Sequence, residues 1–220
     1  MFEKIVVQRS RLADQVYDQI LSAINSGRIG PSERIVQEKL AEQLQVSRTP
    51  IREALFRLEQ EGTLVGSDRG GFVIRVATPR EVIEIYQARQ AVEGFCAGQL
   101  HGSSTEKFDQ IETVIRVNEA KSHQDDHAYY NANREIHRAF VLANDNHYLL
   151  EMFDAMWNRS LSFGTFRLLG ADSLRTTLKG HLELLDEIRR GDKTRAEAAM
   201  RNHIAQGMEL QLKALRETPD

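Results

Sequence analysis

The sequence predicts a mainly α-helical protein with one small β-hairpin. Glycine and proline are few among the 220 residues, 14 and 4, and they fall at the ends of apolar periodic segments instead of inside them. Apolar residues recur at helical spacing along most of the chain, whereas a period of about two appears around residues 63–76. A hydrophobic fraction of 41% and a charged fraction of 28% are typical of folded chains, so wholesale disorder is excluded.

Three short helices are predicted before the hairpin. The first ends at residues 25–27, the second follows the turn at residues 30–32, and the third begins at Ser47, with Pro50 tolerated in its first turn. Each helix has an apolar stripe at i, i+4 or i, i+3 spacing. The stripe is Val16, Ile20 and Ile24 in the first helix, Val36, Leu40 and Leu44 in the second, and Ile51, Leu55 and Leu58 in the third.

The hairpin is predicted from residues 63–65 and 72–76, which flank the turn at residues 67–71. Directly after it, Thr78, Pro79 and Glu81 combine a capping box with proline at the first helical position, so a new helix starts there. We therefore predict two domains, residues 1–77 and residues 78–220.

The second domain is predicted to be an all-α antiparallel bundle of six helices. Its helical segments lie near residues 79–101, 105–124, 127–144, 147–167, 173–190 and 193–217, and the break before the fifth segment is placed at residues 169–172.

Composition excludes several classes of protein. There is no apolar run of the roughly 18 residues that cross a bilayer, and Cys96 is the single cysteine, so we expect a soluble cytoplasmic protein with no membrane partner and no disulfide. Residues 1–78 carry eleven Lys and Arg against ten Asp and Glu, while the remaining residues have a net charge of about −4. Nucleic acid is therefore a plausible partner for the first domain alone.

Three helices followed by a hairpin predict a winged helix-turn-helix, whose third helix reads the major groove. Arg48 and Arg52 share one face of that helix, and a guanidinium matches the two acceptors of guanine. The Ser47 and Thr49 hydroxyls suit phosphates. The alternative reading of the two arginines is a solvated helix face.

The first domain resembles the GntR family of bacterial transcription regulators. The resemblance covers about 65 residues and rests on the sequence VSRTPIREAL at residues 46–55 and RGGFV at residues 69–73. It implies DNA contacts from Arg48, Thr49, Arg52, Arg69 and Gly70. Glu38 departs from the pattern, because fatty-acid-responsive relatives carry a DNA-contacting arginine there.

The second domain resembles the FCD effector domain of the FadR subfamily, and its six predicted helices resemble the shorter, VanR-like type. The resemblance rests on Asn133, His137, His181, residues 191–192 and His203. Asn133 and His137 lie four residues apart on one helix face, and antiparallel packing brings the two later histidines near them.

Three imidazoles and one oxygen donor suit a divalent metal ion, Zn²⁺ or Ni²⁺, with positions open for a carboxylate. Many relatives carry Asp where this chain has Asn133, and a neutral amide binds a cation more weakly. The sequence therefore leaves metal occupancy open, and imidazoles that bind no metal could instead donate to an anionic ligand.

Arg89 matches a family arginine that pairs with ligand carboxylates, and Glu93 lies one turn further along. The alternative for this pair is an ion pair on the helix surface. Together with them, the predicted effector-binding residues are Tyr130, Arg134 and Arg159.

We therefore expect a ligand-responsive transcription regulator that is not an enzyme: a repressor that binds a palindromic operator as a homodimer and responds to a small organic acid. A metal-sensing regulator is one alternative. A metal-dependent hydrolase or lyase is the other, disfavoured because no general base lies beside the metal positions.

Overall fold

The first unit of the computed structural model contains three helices and one hairpin. The structure describes residues 10–25, 28–30, 33–121, 123, 126–158 and 169–217, and the chain divides into two compact units, Met1–Val76 and Ala77–Asp220. In the first unit the elements are α1 (Ser10–Asn25), α2 (Gln37–Leu44), α3 (Arg48–Gln60), β1 (Leu64–Gly66) and β2 (Phe72–Ile74).

The apolar stripes of α1 and α3 form the core of this unit. Val16, Ile20 and Ile24 pack with Ile51, Leu55 and Leu58, and all six side chains are buried. The α2 stripe is only partly buried, and this short helix has no fully buried residue. The two strands pair antiparallel, with Leu64 opposite Ile74 and Gly66 opposite Phe72. The predicted helix-turn-helix with a hairpin after it is confirmed.

A short third strand segment joins the hairpin, which the sequence did not predict. Ile35 and Phe72 form an antiparallel bridge, in which each backbone N–H donates to the other residue's carbonyl at 2.7 and 2.9 Å. One isolated residue has no periodicity to detect. The bridge fastens the segment before α2 to the hairpin.

The second unit is built from helices. Thr78 begins it with the predicted capping box, in which its side chain accepts from the Glu81 amide and the Glu81 carboxylate accepts from the Thr78 amide. The described helices are α4 (Pro79–Gln99), α5 (Thr105–Ala120), α6 (Asp126–Leu142), α7 (His147–Asn158), α8 (Gly170–Thr177), α9 (His181–Arg190) and α10 (Lys193–Glu217). Within its described residues the chain is mainly helical with a single two-stranded sheet, as predicted.

The helix count of the second unit differs from the prediction. The predicted single helix 173–190 is two helices, because Gly180 adopts a left-handed conformation with φ 88° and turns the chain between α8 and α9. Residues 169–172, predicted as a break, instead open α8. The end of the predicted helix 147–167 lies outside the described residues.

Close packing of α4 against α10 brings distant parts of the chain together. Gly94 and Gly98 lie on the contact face of α4, where an added Cβ would stand 2.9 Å from Arg201 Cγ and 2.5 Å from Glu197 Cγ. A larger side chain at either position would require the Arg201 or Glu197 side chain to shift. This contact sets Arg89 and Glu93 of α4 near His203 of α10.

Candidate functional site

The first candidate site is the exposed start of α3. Gln45 takes a left-handed conformation that ends α2, and α3 begins three residues later at Arg48, directly after Ser47. Ser47, Arg48, Thr49 and Arg52 are all exposed. The predicted recognition residues therefore form one accessible surface, with the N-terminal backbone amides of α3 beside them.

Contacts from α2 hold the first residue of α3. Glu38 Oε1 lies 3.4 Å from Arg48 Nη1, and the Gln37 side chain donates to the Arg48 carbonyl at 3.0 Å. The sequence did not predict this arrangement, because the partners are ten and eleven residues apart on different helices. The Arg48 side chain thus has a carboxylate partner on the neighbouring helix.

The tip of the hairpin is a tight glycine turn. Gly70 and Gly71 have φ values of 77° and 80°, and a Cβ on Gly71 would stand 2.5 Å from the Ile35 carbonyl oxygen. Arg69 is exposed, and its carbonyl accepts a hydrogen bond from Arg34. The predicted wing residues Arg69 and Gly70 lie at this exposed tip.

The second candidate site is a cavity of about 590 Å³ in the helical unit, a size typical of small-molecule sites. Four of the predicted site residues line it: Arg89, Asn133, His137 and His203. The structure thereby brings together side chains from α4, α6 and α10.

Three histidines form a cluster, two of which, His137 and His203, line this cavity. His137, His181 and His203 each direct a ring nitrogen to one region, and these donor atoms lie within 4.8 Å of one another. His137 Nε2 and His181 Nε2 are 3.4 Å apart. Two nitrogen ligands of a tetrahedral zinc ion, each about 2.0–2.1 Å from the metal, are separated by about 3.3 Å. The spacing of this pair therefore fits a shared metal ion.

Hydrogen bonds fix where the protons of two of these rings lie. His137 Nδ1 contacts the Glu93 carboxylate at 2.5 Å, and His181 Nδ1 contacts the Leu178 carbonyl at 3.1 Å. Since both oxygens only accept, each Nδ1 must donate its proton. In the neutral rings both Nε2 lone pairs then point at each other, an arrangement that a cation between them would relieve.

Burial keeps these rings neutral. It lowers the pKa of His181 to about 3 and that of His203 to about 2, and the neighbouring His137 ring acts in the same direction. Burial also lowers the pKa of His137, although the Glu93 charge opposes it. A metal ion binds the neutral imidazole, so the protonation state suits metal binding.

Asn133 is the candidate for a fourth donor. Its side-chain oxygen is buried and has no hydrogen-bond partner among the described residues. An unsatisfied buried oxygen costs free energy, so this atom calls for a ligand, an ion or water. Its place on the cavity wall, one turn before His137, matches the predicted donor set of one oxygen and three imidazoles.

Arg89 and Glu93 form the predicted i, i+4 ion pair, at 2.8 Å, but on the inside of the unit. Their side chains are 8% and 0% exposed, so the surface-pair reading is wrong. Burial by itself would raise the pKa of Glu93, but the charges of Arg89 and His137 outweigh it and hold that pKa well below its usual range. The Arg89 guanidinium also stacks on the rings of Tyr86 and Trp157.

Three predicted effector-binding residues do not line the cavity. Glu93 lies behind it, with its carboxylate used by Arg89, His137 and the Trp157 indole. Tyr130 donates its hydroxyl to the Trp157 carbonyl, and Arg134 pairs with Asp154 at 2.6 Å. Their partners are more than 19 residues away in sequence, so helical spacing alone could not reveal them. Arg159, the fourth, lies outside the described residues.

The outer part of the cavity carries polar side chains that the sequence analysis missed. Glu183 and Glu187 lie four residues apart on α9, and Asn202 and Gln206 lie four residues apart on α10. The fifth of these side chains is Lys179, just before α9. The signal that could have found them is this spacing, which places each pair on one helix face.

A helix-turn-helix with a glycine wing, on the same chain as a helical unit that encloses a histidine-rich cavity, defines a ligand-responsive DNA-binding regulator. Residues 12–74 match the family model described as "Bacterial regulatory proteins, gntR family", and residues 84–206 match the model of the FCD domain. The chain belongs to the GntR family and carries an FCD domain. Members of this family are transcription regulators and not enzymes, which excludes the hydrolase or lyase alternative.

Individual relatives agree with this assignment. The chain is 28% identical to the HTH-type transcriptional regulator YdhC of Bacillus subtilis over 86% of each chain. It is 27% identical to the "Probable D-xylose utilization operon transcriptional repressor" of Paenarthrobacter nicotinovorans, over 90% of this chain and 87% of the other. The solved structure of E. coli McbR/YncC has the same fold, with a TM-score of 0.65 and 21% identity over 95% and 99% of the two chains.

No helix in the described ranges combines the length and the apolar character that a membrane span requires.

Proposed function

We propose that this protein is a repressor that binds a palindromic operator as a homodimer and responds to a small organic acid held by a metal ion. The observation that carries the effector part is the convergence of the His137 and His181 Nε2 lone pairs beside the unsatisfied Asn133 oxygen. The recognition part rests on the exposed start of α3 and on the wing. The residues proposed to contact DNA are Ser47, Arg48, Thr49, Arg52, Arg69 and Gly70.

The proposed metal ligands are Asn133, His137, His181 and His203. Imidazole nitrogens favour Zn²⁺ or Ni²⁺, and the neutral amide oxygen makes the fourth ligand the weakest. When bound, such an ion supplies a Lewis-acid position to which a carboxylate can bind. Glu93 holds the His137 ring in the orientation and tautomer that metal binding needs, as carboxylates do behind many histidine ligands.

Metal binding is proposed to precede effector binding because of the charge inside the cavity. Arg89 is the inner cation, but Glu93 already neutralises it at 2.8 Å. An incoming carboxylate therefore gains little net attraction from the protein alone, and the divalent ion provides the missing positive charge. Arg89 orients the incoming carboxylate, because its guanidinium plane is held on the cavity wall by stacking on Tyr86 and Trp157.

The cavity volume favours an organic effector over the metal-sensing alternative. A metal ion with its ligands needs only the small space between the imidazoles, whereas about 590 Å³ extends beyond them. Repression is supported by the relative from Paenarthrobacter nicotinovorans, which is named a "Probable D-xylose utilization operon transcriptional repressor".

Metal titration of the full chain tests the proposed centre. Purified protein is stripped with a chelator and titrated with Zn²⁺ or Ni²⁺ by calorimetry, for the wild type, His203→Ala and His147→Ala. His147 is an exposed histidine away from the cavity, so His147→Ala is the matched control. We expect one ion per chain, unchanged affinity in His147→Ala and at least about tenfold weaker binding in His203→Ala. Equal affinity in all three proteins would contradict the proposal.

A further inference from the structure

The outer part of the cavity described above has a charge pattern that selects among carboxylates. Lys179, Glu183 and Glu187 have no side-chain partner among the described residues, and neither do the amides Asn202 and Gln206. All five are exposed residues on the cavity lining, and Glu183 also acts electrostatically on the nearby Glu119. The mouth thus presents more acceptors than cations.

Charge counting favours a ligand with one negative charge. The cavity lining holds two cations, Arg89 and Lys179, and two carboxylates, Glu183 and Glu187. The Glu93 carboxylate behind it pairs with Arg89, so the whole set has one net negative charge. A divalent metal ion changes this to one net positive charge, which a monocarboxylate would neutralise. A second carboxylate at the outer end would face Glu183 and Glu187 and meet repulsion.

The hydrogen-bonding groups at the mouth indicate what the rest of the ligand carries. Carboxylates accept, an ammonium donates, and side-chain amides do both. Hydroxyl groups satisfy all of them, because each hydroxyl can donate and accept. An alkyl chain would displace water from these exposed groups without replacing its hydrogen bonds, and a ligand ammonium group would be repelled by Lys179.

We propose that the cavity binds a polyhydroxylated monocarboxylic acid, with its carboxylate at the metal and its hydroxyls between Glu183, Glu187, Lys179 and the two amides. This inference rests on the proposed function and adds the class of acid. Aldonic acids of five and six carbons fit this chemistry and are well within the available volume.

A matched panel of acids tests the class. Metal-loaded protein is heated with hexanoate, with five- and six-carbon aldonates of differing stereochemistry, with the corresponding aldarates, and with 6-aminohexanoate. The concentration that gives a half-maximal rise in unfolding temperature is measured for each. We expect at least one aldonate to act at a concentration at least about tenfold below those of hexanoate, the aldarate and the amino acid.

Variants at the mouth separate this inference from the proposed function. In the double variant Glu183→Gln with Glu187→Gln, we expect the aldarate to act at an about fivefold lower concentration. Asp186→Asn is the control, since Asp186 lies on the same helix but pairs with Arg190 away from the cavity. Metal-dependent stabilisation that is equal for all acids would overturn the inference while the proposed function stands. No stabilisation by any acid of the panel would overturn both.

A second inference comes independently from the Glu38 contact with Arg48. The two groups are 3.4 Å apart and their side chains are 56% and 69% exposed, so the pair stands on the surface that would face DNA. A carboxylate there is repelled by phosphates of every sequence. The same carboxylate favours recognition when it directs the Arg48 guanidinium toward a base.

We infer that Glu38 is a positioning residue that raises sequence discrimination at the expense of affinity for DNA in general. It holds Arg48 in a direction suited to a guanine edge, and its charge weakens binding wherever that base contact is missing. The Gln37 bond to the Arg48 carbonyl fixes the backbone for the same contact.

Selected DNA tests this inference. Double-stranded DNA is enriched from a random library with the wild-type protein, and affinities for the enriched and the unselected DNA are compared at several salt concentrations. For Glu38→Gln we expect tighter binding of unselected DNA and a ratio of affinities that falls about three- to tenfold. Glu84→Gln is the control, because Glu84 is also 56% exposed and paired with an arginine, in the other unit. The inference would be overturned if Glu38→Gln bound the enriched and the unselected DNA with the same affinities, and hence the same ratio of affinities, as the wild type.

Discussion

The buried carboxylate of Glu93 contacts both Arg89, the inner cation of the cavity, and His137, a proposed metal ligand. One oxygen accepts from Arg89 and the other from His137, and the indole of Trp157 lies 3.4 Å from the first. Removing one member of such a buried set leaves an unpaired charge, which typically costs about 3–5 kcal/mol. We therefore regard Glu93 as part of the support of the site and not as a ligand contact.

Arg52 tests the recognition surface at a single residue. It is exposed and has no side-chain partner among the described residues, so its loss should leave folding intact. Arg52→Ala is expected to weaken binding of the enriched DNA by about 1–3 kcal/mol and to relax the preference at one base pair. Fluorescence anisotropy with a set of single-base variants measures both effects.

Arg190→Ala controls for the loss of one positive charge, because Arg190 is an exposed arginine of the other unit. If the two variants bound the enriched DNA equally well, Arg52 would have no place in the recognition surface.

Cys96 provides a test of burial in α4. Its side chain is fully buried, and burial together with the Glu93 charge raises the pKa of its thiol to about 12. At pH 8 almost no thiolate is present, so alkylation of the folded protein should be more than about a hundredfold slower than that of the urea-unfolded protein. Mass spectrometry after timed exposure to iodoacetamide measures the two rates. Comparable rates would mean that α4 is not buried as described.

At the scale of the elements, the wing depends on two glycines that differ in their surroundings. Both have positive φ, so alanine at either position should cost about 1–2 kcal/mol. A Cβ on Gly70 meets open space, whereas a Cβ on Gly71 would collide with the Ile35 backbone at 2.5 Å. Gly71→Ala is therefore expected to lower the free energy of unfolding more than Gly70→Ala does, because the Ile35–Phe72 bridge must also shift.

Urea denaturation of the two alanine variants measures this difference, and Gly70→Ala serves as the control for backbone strain. Equal destabilisation would contradict the described contact between the wing and the segment before α2.

Elements with local signals could be predicted from the sequence. The stripes of α1 and α3, the capping box at Thr78 and the glycine turn of the hairpin all depend on residues within a few positions of one another. The break at Gly180 was missed because an isolated glycine inside a helical pattern does not by itself end a helix. The bridge at Ile35 was missed because it has no local pattern.

At the scale of the whole molecule, the site combines side chains from helices far apart in the chain. The histidines and Asn133 were predicted because the resemblance placed them. The structure brings the three histidines together and places Asn133, His137 and His203 on the cavity lining. Tyr130 and Arg134 do not line the cavity, and their partners Trp157 and Asp154 are set by the packing of α6 on α7, which no helical spacing encodes.

In the proposed account, binding of the acid in the effector cavity changes the affinity for DNA, and the size of that change is a coupling free energy. An acid that bound equally well to the DNA-binding and non-binding forms would change nothing, whatever its affinity. Coupling of about 1–3 kcal/mol corresponds to a change in DNA affinity of about 5- to 150-fold, and DNA must change the acid affinity by the same factor. Metal alone should produce little of this change, unless the protein is a metal sensor.

The most direct test of this account is the affinity for enriched DNA as the stabilising acid is added to metal-loaded protein. We expect the affinity to fall by about 5- to 150-fold, and the effect to disappear after chelation and in His203→Ala. Unchanged DNA affinity, with the acid shown by thermal unfolding to be bound, would contradict the central claim that the metal-held acid controls DNA binding.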